Sequence, residues 1–267
     1  MATAIASDMR NTTMNARIPS PPPPRAAFTL VELLVVIAII AILMGLLLPA
    51  ITGAKLAAKQ RQAGTEVRNI VSACKNYYVD YGKFPPLNNP AVAPVTVVAI
   101  DTTAPGNTFY SFGPTVADIP PGNCKLRNSD LFNILRAIPT AGGSNPAHAM
   151  NKRQVKYYEG QVAKDPTTPR SGFADGTQFA AAVQGCLFDP FGGQYCIILD
   201  ADGDDEINLG PFFSDLAPAT NVIRSSAVAF SMGTDSKIGG KNANGTPYTT
   251  YRPSSPNQPP DDIVSFQ

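Results

Sequence analysis

"RAAFTLVELLVVIAIIAILMGLLLPA" occupies residues 25–50, and its reading settles what the rest of the chain can be. After Arg25 it carries one charged residue, Glu32, and the next charge is Lys55. The 22 uncharged residues from Leu33 to Ala54 make a helix about 33 Å long at ~1.5 Å per residue. A bilayer core is roughly 30 Å thick, so this segment can span one. It exceeds the ~7–15-residue apolar core of an ordinary export signal, although Thr52-Gly53-Ala54 would serve such a signal as a cleavage site. A lone carboxylate is costly in hydrocarbon and is usually there for a partner or a task. Glu32 therefore needs an explanation.

The segments on either side differ in kind. Residues 1–27 are polar and end in Pro21-Pro22-Pro23-Pro24-Arg25-Ala26-Ala27, a composition that builds no core and reads as a leader or a disordered tail. Arg17 and Arg25 precede the apolar run, while Lys55, Lys59 and Arg61 follow it, so charge alone leaves the membrane orientation open. Beyond the run the helical period continues. Leu56, Ala63, Val67, Ile70, Val71, Cys74, Tyr77, Tyr78 and Tyr81 recur on one face, with Lys59, Gln62, Glu66 and Arg68 between them. Gly82-Lys83-Phe84-Pro85-Pro86 ends the pattern. One helix from Phe28 to Tyr81 is expected, bent or unwound near Pro49, with the tyrosines packed on a sheet.

The remainder is strand and loop. Residues 85–125 read as loops with short strands, and Asn128-Ser129-Asp130 as caps for a short helix through Arg136. "RQVKYYEG" (153–160) alternates like a strand, and "GQYCIILDADGDDEINLG" (193–210) reads as a hairpin. "SSAVAFSMG" (225–233) is a further strand, and the proline-rich tail ends in another short one. The expected class is α+β: a long N-terminal helix on a small antiparallel sheet with loop-rich insertions. The expected divisions are 1–27 (leader), 28–54 (membrane and assembly helix), 55–84 (amphipathic helix) and 85–267 (globular).

The chain's formal net charge of +1 gives no basic field for nucleic acid. Cys74, Cys124, Cys186 and Cys196 show no CxxC spacing, and with the single histidine His148 they do not suggest zinc. Disulfides and buried thiols both remain open for them. His148 sits among small residues and reads as solvated, and Gly239-Gly240-Lys241 lacks the spacing of a phosphate loop. "DADGDDEIN" (200–208) begins like an EF-hand, but its sixth position is Asp205 instead of Gly and its twelfth is Pro211 instead of Glu. A turn is the better reading. No enzyme constellation emerges.

"AFTLVELLVVIAIIAIL" resembles the N-terminal signature of the type IV pilin superfamily. The resemblance implies cleavage between Ala27 and Phe28 by a prepilin peptidase, N-methylation of Phe28, and pairing of Glu32 with the Phe28 amine of a neighbouring subunit. It also implies a single-pass protein of the bacterial inner membrane with its globular part in the periplasm. Where this chain has Ala27, the family usually has Gly.

Three more stretches narrow the likeness to the major pseudopilin of type II secretion. "DPFGGQY" (189–195) is similar to its DPWGxPY, "FSMGTDSKIGG" (230–240) to its S-x-G-x-D-x-x-x-GG, and "DDIVSF" (261–266) to its DDI-x-x-W end. In that family the last two form a calcium loop, about 230–267 here. This implies Ca²⁺ held by the Asp235, Asp261 and Asp262 carboxylates with the Met232 and Val264 carbonyls. Phe191 and Phe266 stand where the family has Trp, and an insertion of about 87–188 is peculiar to this chain. The implied role is a subunit of a homo-oligomeric periplasmic filament, working with minor pseudopilins and an inner-membrane secretion platform. Two alternatives are another pilin-like filament, for adhesion, motility or DNA uptake, and an exported binding or enzymatic domain.

Overall fold

The computed structural model describes residues 29–84, 98–99, 108–114, 126–140, 144–209, 222–234 and 263–265. Helix α1 runs from Leu30 to Tyr81. It is helical throughout, Pro49 included, so no turn unwinds there. Thr29 opens it, and Gly82 closes it with φ +69° and an N–H bond to the Tyr78 carbonyl at 2.7 Å. Glycine takes that left-handed conformation without the steric cost a Cβ would add.

Contact density divides the chain into two compact units, Met1–Ile51 and Thr52–Gln267. In the first, the large apolar side chains from Leu30 to Leu48 are exposed. Each would gain roughly 1.5–3 kcal/mol from burial, so they require a bilayer or other helices around them. In the second, α1 turns Ala63, Val67, Ile70, Ala73, Cys74 and Tyr77 into the core, as its spacing predicts.

That core lies against a five-stranded antiparallel sheet of order β1-β2-β5-β8-β9. Its strands are β1 (Val98–Ala99), β2 (Thr108–Phe112), β5 (Cys196–Asp200), β8 (Ala227–Ser231) and β9 (Ile263–Val264). All five residues of β5 and of β8 are buried. The helix on a small antiparallel sheet matches the expected α+β class.

The expected hairpin at 193–210 does not form. β5 is central, with β2 on one edge (Ser111 opposite Ile198) and β8 on the other (Ile198 opposite Val228). No edge is left for the next strand. β6 (Glu206–Asn208) instead pairs with β7 (Val222–Arg224) in a separate two-stranded sheet. Residues 153–160 are not a strand either. Gln154 has φ +53°, and the Tyr157 and Tyr158 N–H groups both donate to the Leu135 carbonyl, at 2.8 and 3.3 Å. That carbonyl ends helix α2 (Asn128–Leu135).

The region expected to be an insertion is part of the core. Phe112, Leu131, Phe132, Ile134, Leu135, Tyr158, Phe173 and Leu187 join Val67, Ile70 and Tyr77 of α1 in one cluster. β3 (Gly172–Phe173) and β4 (Leu187–Phe188) form its small sheet. Gly172 is obligatory there, because a Cβ would lie 2.5 Å from the Gln161 carbonyl oxygen. Three buried asparagines fix the surrounding loops. Asn128 does not cap α2, whose N-cap is Arg127 without a side-chain bond. Its amide donates to the Leu187 and Tyr195 carbonyls and accepts from the Leu187 N–H. Asn145 donates to the Ile138 carbonyl, and Asn151 to those of Ile134 and Val155.

Candidate functional site

Two places in the structure bear on function. The first is the start of α1. Thr29 donates from its backbone N–H and its hydroxyl to Glu32 Oε2, both at 2.8 Å. The Glu32 N–H returns a bond to Thr29 Oγ1 at 3.2 Å. This reciprocal pair is a capping box, which satisfies helix-end amides that have no partner within the helix. The T-x-x-E spacing of "TLVE" was the available signal for it. Glu32 Oε1 takes none of the hydrogen bonds among the described residues. Ala27 and Phe28 lie outside them.

The second place is a turn at 189–193, which is tied to the end of β8. Asp189 is fully buried, and its Oδ1 accepts the N–H groups of Phe191, Gly192 and Gly193 at 2.9, 2.8 and 2.9 Å. Its Oδ2 accepts the Ser231 hydroxyl at 2.6 Å, tying the turn to the end of β8. Burial raises the Asp189 carboxyl above the usual range, and the four hydrogen bonds offset this in part. Two residues past the turn, the Tyr195 hydroxyl donates to Glu66 Oε2 on α1. Burial first, and the Glu66 charge second, push the Tyr195 phenol upward. β8 in turn holds β9, with Phe230 opposite Val264 and Ser231 opposite Ile263. Residues 189–195, 230–231 and 263–264 are therefore one connected unit.

Among the candidate calcium residues, Met232 is buried and Val264 nearly so, while Asp235, Asp261 and Asp262 lie outside the described residues. A different acidic group is visible. Asp200, Asp202 and Asp204 bring carboxylate oxygens within 4.8 Å of one another. Asp200 already accepts N–H bonds from Asp202 (3.1 Å), Gly203 (2.8 Å) and Asp205 (2.9 Å), which accounts for the turn by itself. Burial raises the Asp200 carboxyl to about 6.

Cys74 and Cys186 are buried free thiols, Cys196 is buried in β5, and Cys124 falls outside the described residues. Burial pushes the Cys74 thiol up to about 12, which makes it a packing group and not a nucleophile. His148 is only half exposed, in a 3₁₀ turn (Pro146–His148), with Nδ1 shielded and without a partner among the described residues. It is not the fully solvated histidine its small neighbours suggest.

Residues 23–48 match the family model for the prokaryotic N-terminal methylation motif. The chain carries a prepilin signature. The signature covers the sequence around the expected Ala27–Phe28 junction, the Thr29–Glu32 capping box and most of the exposed half of α1. Prepilin proteins are processed by a dedicated peptidase and held in a membrane by this helix, and the exposed apolar face described above fits such an anchor. No curated protein and no solved structure matches the chain.

Asp189, Ser231, Tyr195 and Glu66 were not assigned roles from sequence. The Asp-Pro-x-Gly pattern marks a turn at Asp189. Nothing local shows that its second oxygen reaches a serine 42 positions away.

Proposed function

We propose that the chain is a structural subunit of a type II secretion pseudopilus. In this reading it is cleaved before Phe28 and inserted in the inner membrane through residues 28–54. It assembles into a periplasmic filament that drives protein export. The observation that carries the proposal is the prepilin signature on an exposed apolar half-helix. The pseudopilin subtype draws its support from the sequence likeness of residues 189–195, 230–240 and 261–266.

Calcium belongs to the same proposal. Ile263, immediately after Asp262, pairs with Ser231, immediately before Met232. The two stretches named for the metal thus adjoin a described strand pair. Their donors are carboxylate and carbonyl oxygens, the hard ligands Ca²⁺ takes in sets of six to eight. Asp235, Asp261 and Asp262 would hold the ion, with the Met232 and Val264 carbonyls.

Deleting the gene tests the role. A pseudopilus subunit leaves exported proteins stranded in the periplasm, while surface pili and motility are unchanged. Loss of pili, adhesion or DNA uptake with normal secretion would instead assign the chain to another pilin-like filament.

A further inference from the structure

A cleft of about 400 Å³ lies between the first turns of α1 in the Thr52–Gln267 unit and the 189–193 turn. Thr52, Lys55, Leu56 and Lys59 line one side of it. Their spacing of three and four residues puts them on a single helix face. Arg170 and Phe191 line the other side. The Lys59 ammonium sits over the Phe191 ring, 5.9 Å from its centroid. Arg170 lies along the backbone of Gly192, where a Cβ would meet its Nε at 3.5 Å. Three cations thus face one cleft, which Thr234 also lines, and none of the described residues that line it is an acid. Asp165, whose carboxyl the Arg170 charge helps to hold low, spends its oxygens on bonds from Thr167 and Thr168. Like charges gathered this way repel one another, and a bound anion removes the cost.

We propose that Lys55, Lys59 and Arg170 bind the phosphate of an anionic phospholipid head group. The position in the chain selects the lipid. Lys55 directly follows the 22-residue uncharged run Leu33–Ala54. A bilayer spanned by that run places its head groups at this residue. Basic residues just outside a spanning helix each raise the affinity for anionic lipids about fivefold. Here the fold adds Arg170 and the Phe191 ring of the turn to the two lysines, giving one phosphate several donors. The inference rests on the membrane-anchored reading of α1.

Native mass spectrometry of the full chain released from detergent tests it, with phosphatidylglycerol and phosphatidylcholine offered in equal amounts. Wild type should retain phosphatidylglycerol at least tenfold over phosphatidylcholine. Lys55→Gln/Lys59→Gln/Arg170→Gln should reduce it to the phosphatidylcholine level. Lys75→Gln, an exposed lysine elsewhere on α1, should change nothing, and Arg170→Lys should keep most of the retention, which separates charge from misfolding. Equal retention of the two lipids by wild type, or full retention by the triple variant, would overturn the proposal. Displacement by inorganic phosphate at equal concentration would also overturn it, in favour of a soluble phosphate ligand. Membrane fractionation of cells reads the anchor separately, so its failure is distinguishable from failure of the lipid site.

Discussion

Asp189→Ala removes the acceptor of four hydrogen bonds at once. An unsatisfied buried donor costs about 1–3 kcal/mol. The Gly193 amide and the Ser231 hydroxyl are buried and bear that cost in full, whereas the Phe191 and Gly192 amides are partly exposed and can turn to water. A loss of about 3–5 kcal/mol follows. For a domain of this size each kcal/mol moves the midpoint by about 2–4 °C, so melting should drop by about 6–20 °C. Near-ultraviolet circular dichroism of the tyrosines in the full chain reads this.

Asp189→Asn keeps one carbonyl oxygen for the three amides and should lose far less. The pH dependence sharpens the comparison. The buried carboxyl binds its proton more tightly than an unfolded aspartate does. Its contribution to stability is fully present below the unfolded value and is lost as pH rises through the folded one. Wild type should therefore gain on Asp189→Asn as pH falls from 7 towards 4. An Asp189→Ala variant melting within a degree or two of wild type, or a gap to Asp189→Asn that does not change with pH, would refute the account of this junction.

Glu32→Gln preserves a capping-box side chain but removes the charge, whereas Glu32→Ala removes both. If the acid pairs with a neighbour's Phe28 amine, both variants stay in the membrane and both lose the cross-linked oligomer ladder. A ladder lost only in Glu32→Ala would assign Glu32 to the cap alone. Intact mass of the membrane-extracted protein should show cleavage before Phe28. This leaves 240 residues and takes the formal net charge from +1 to −1, because the leader holds three arginines and one aspartate. A mature N-terminus at Lys55 would establish an ordinary export signal instead. Saturating Ca²⁺ at a hundredfold over Kd adds about 2.7 kcal/mol to a folded state that binds it. The melting point should rise with Ca²⁺ and much less with Mg²⁺, Asp262→Ala should abolish most of the rise, and Asp202→Ala should keep it. The reverse pattern would place the metal at Asp200, Asp202 and Asp204.

Much of what depends on neighbours in the chain was legible from the sequence, although the alternation at 153–160 and the break expected at Pro49 misled. The apolar run, the period that buries Val67, Ile70, Cys74 and Tyr77, the glycine stop at Gly82 and the strand at 227–231 are all local patterns. Each follows from side-chain periodicity and backbone sterics within a few residues. Pairing was not legible in the same way. "CIILDADGDDEIN" looks like a hairpin until β2 and β8 occupy both edges of β5, a choice set by strands nearly 90 residues before it and 30 after. Polar partnership was equally hidden. Asn128 has the sequence of a helix cap but spends its amide on Leu187 and Tyr195, because at that depth an unpaired amide would cost more than an uncapped helix. Asp189 and Ser231, Tyr195 and Glu66, and the cations Lys55, Lys59 and Arg170 are likewise distant in sequence. Only packing of the chain puts such groups within a few ångströms, where hydrogen bonding and charge begin to act.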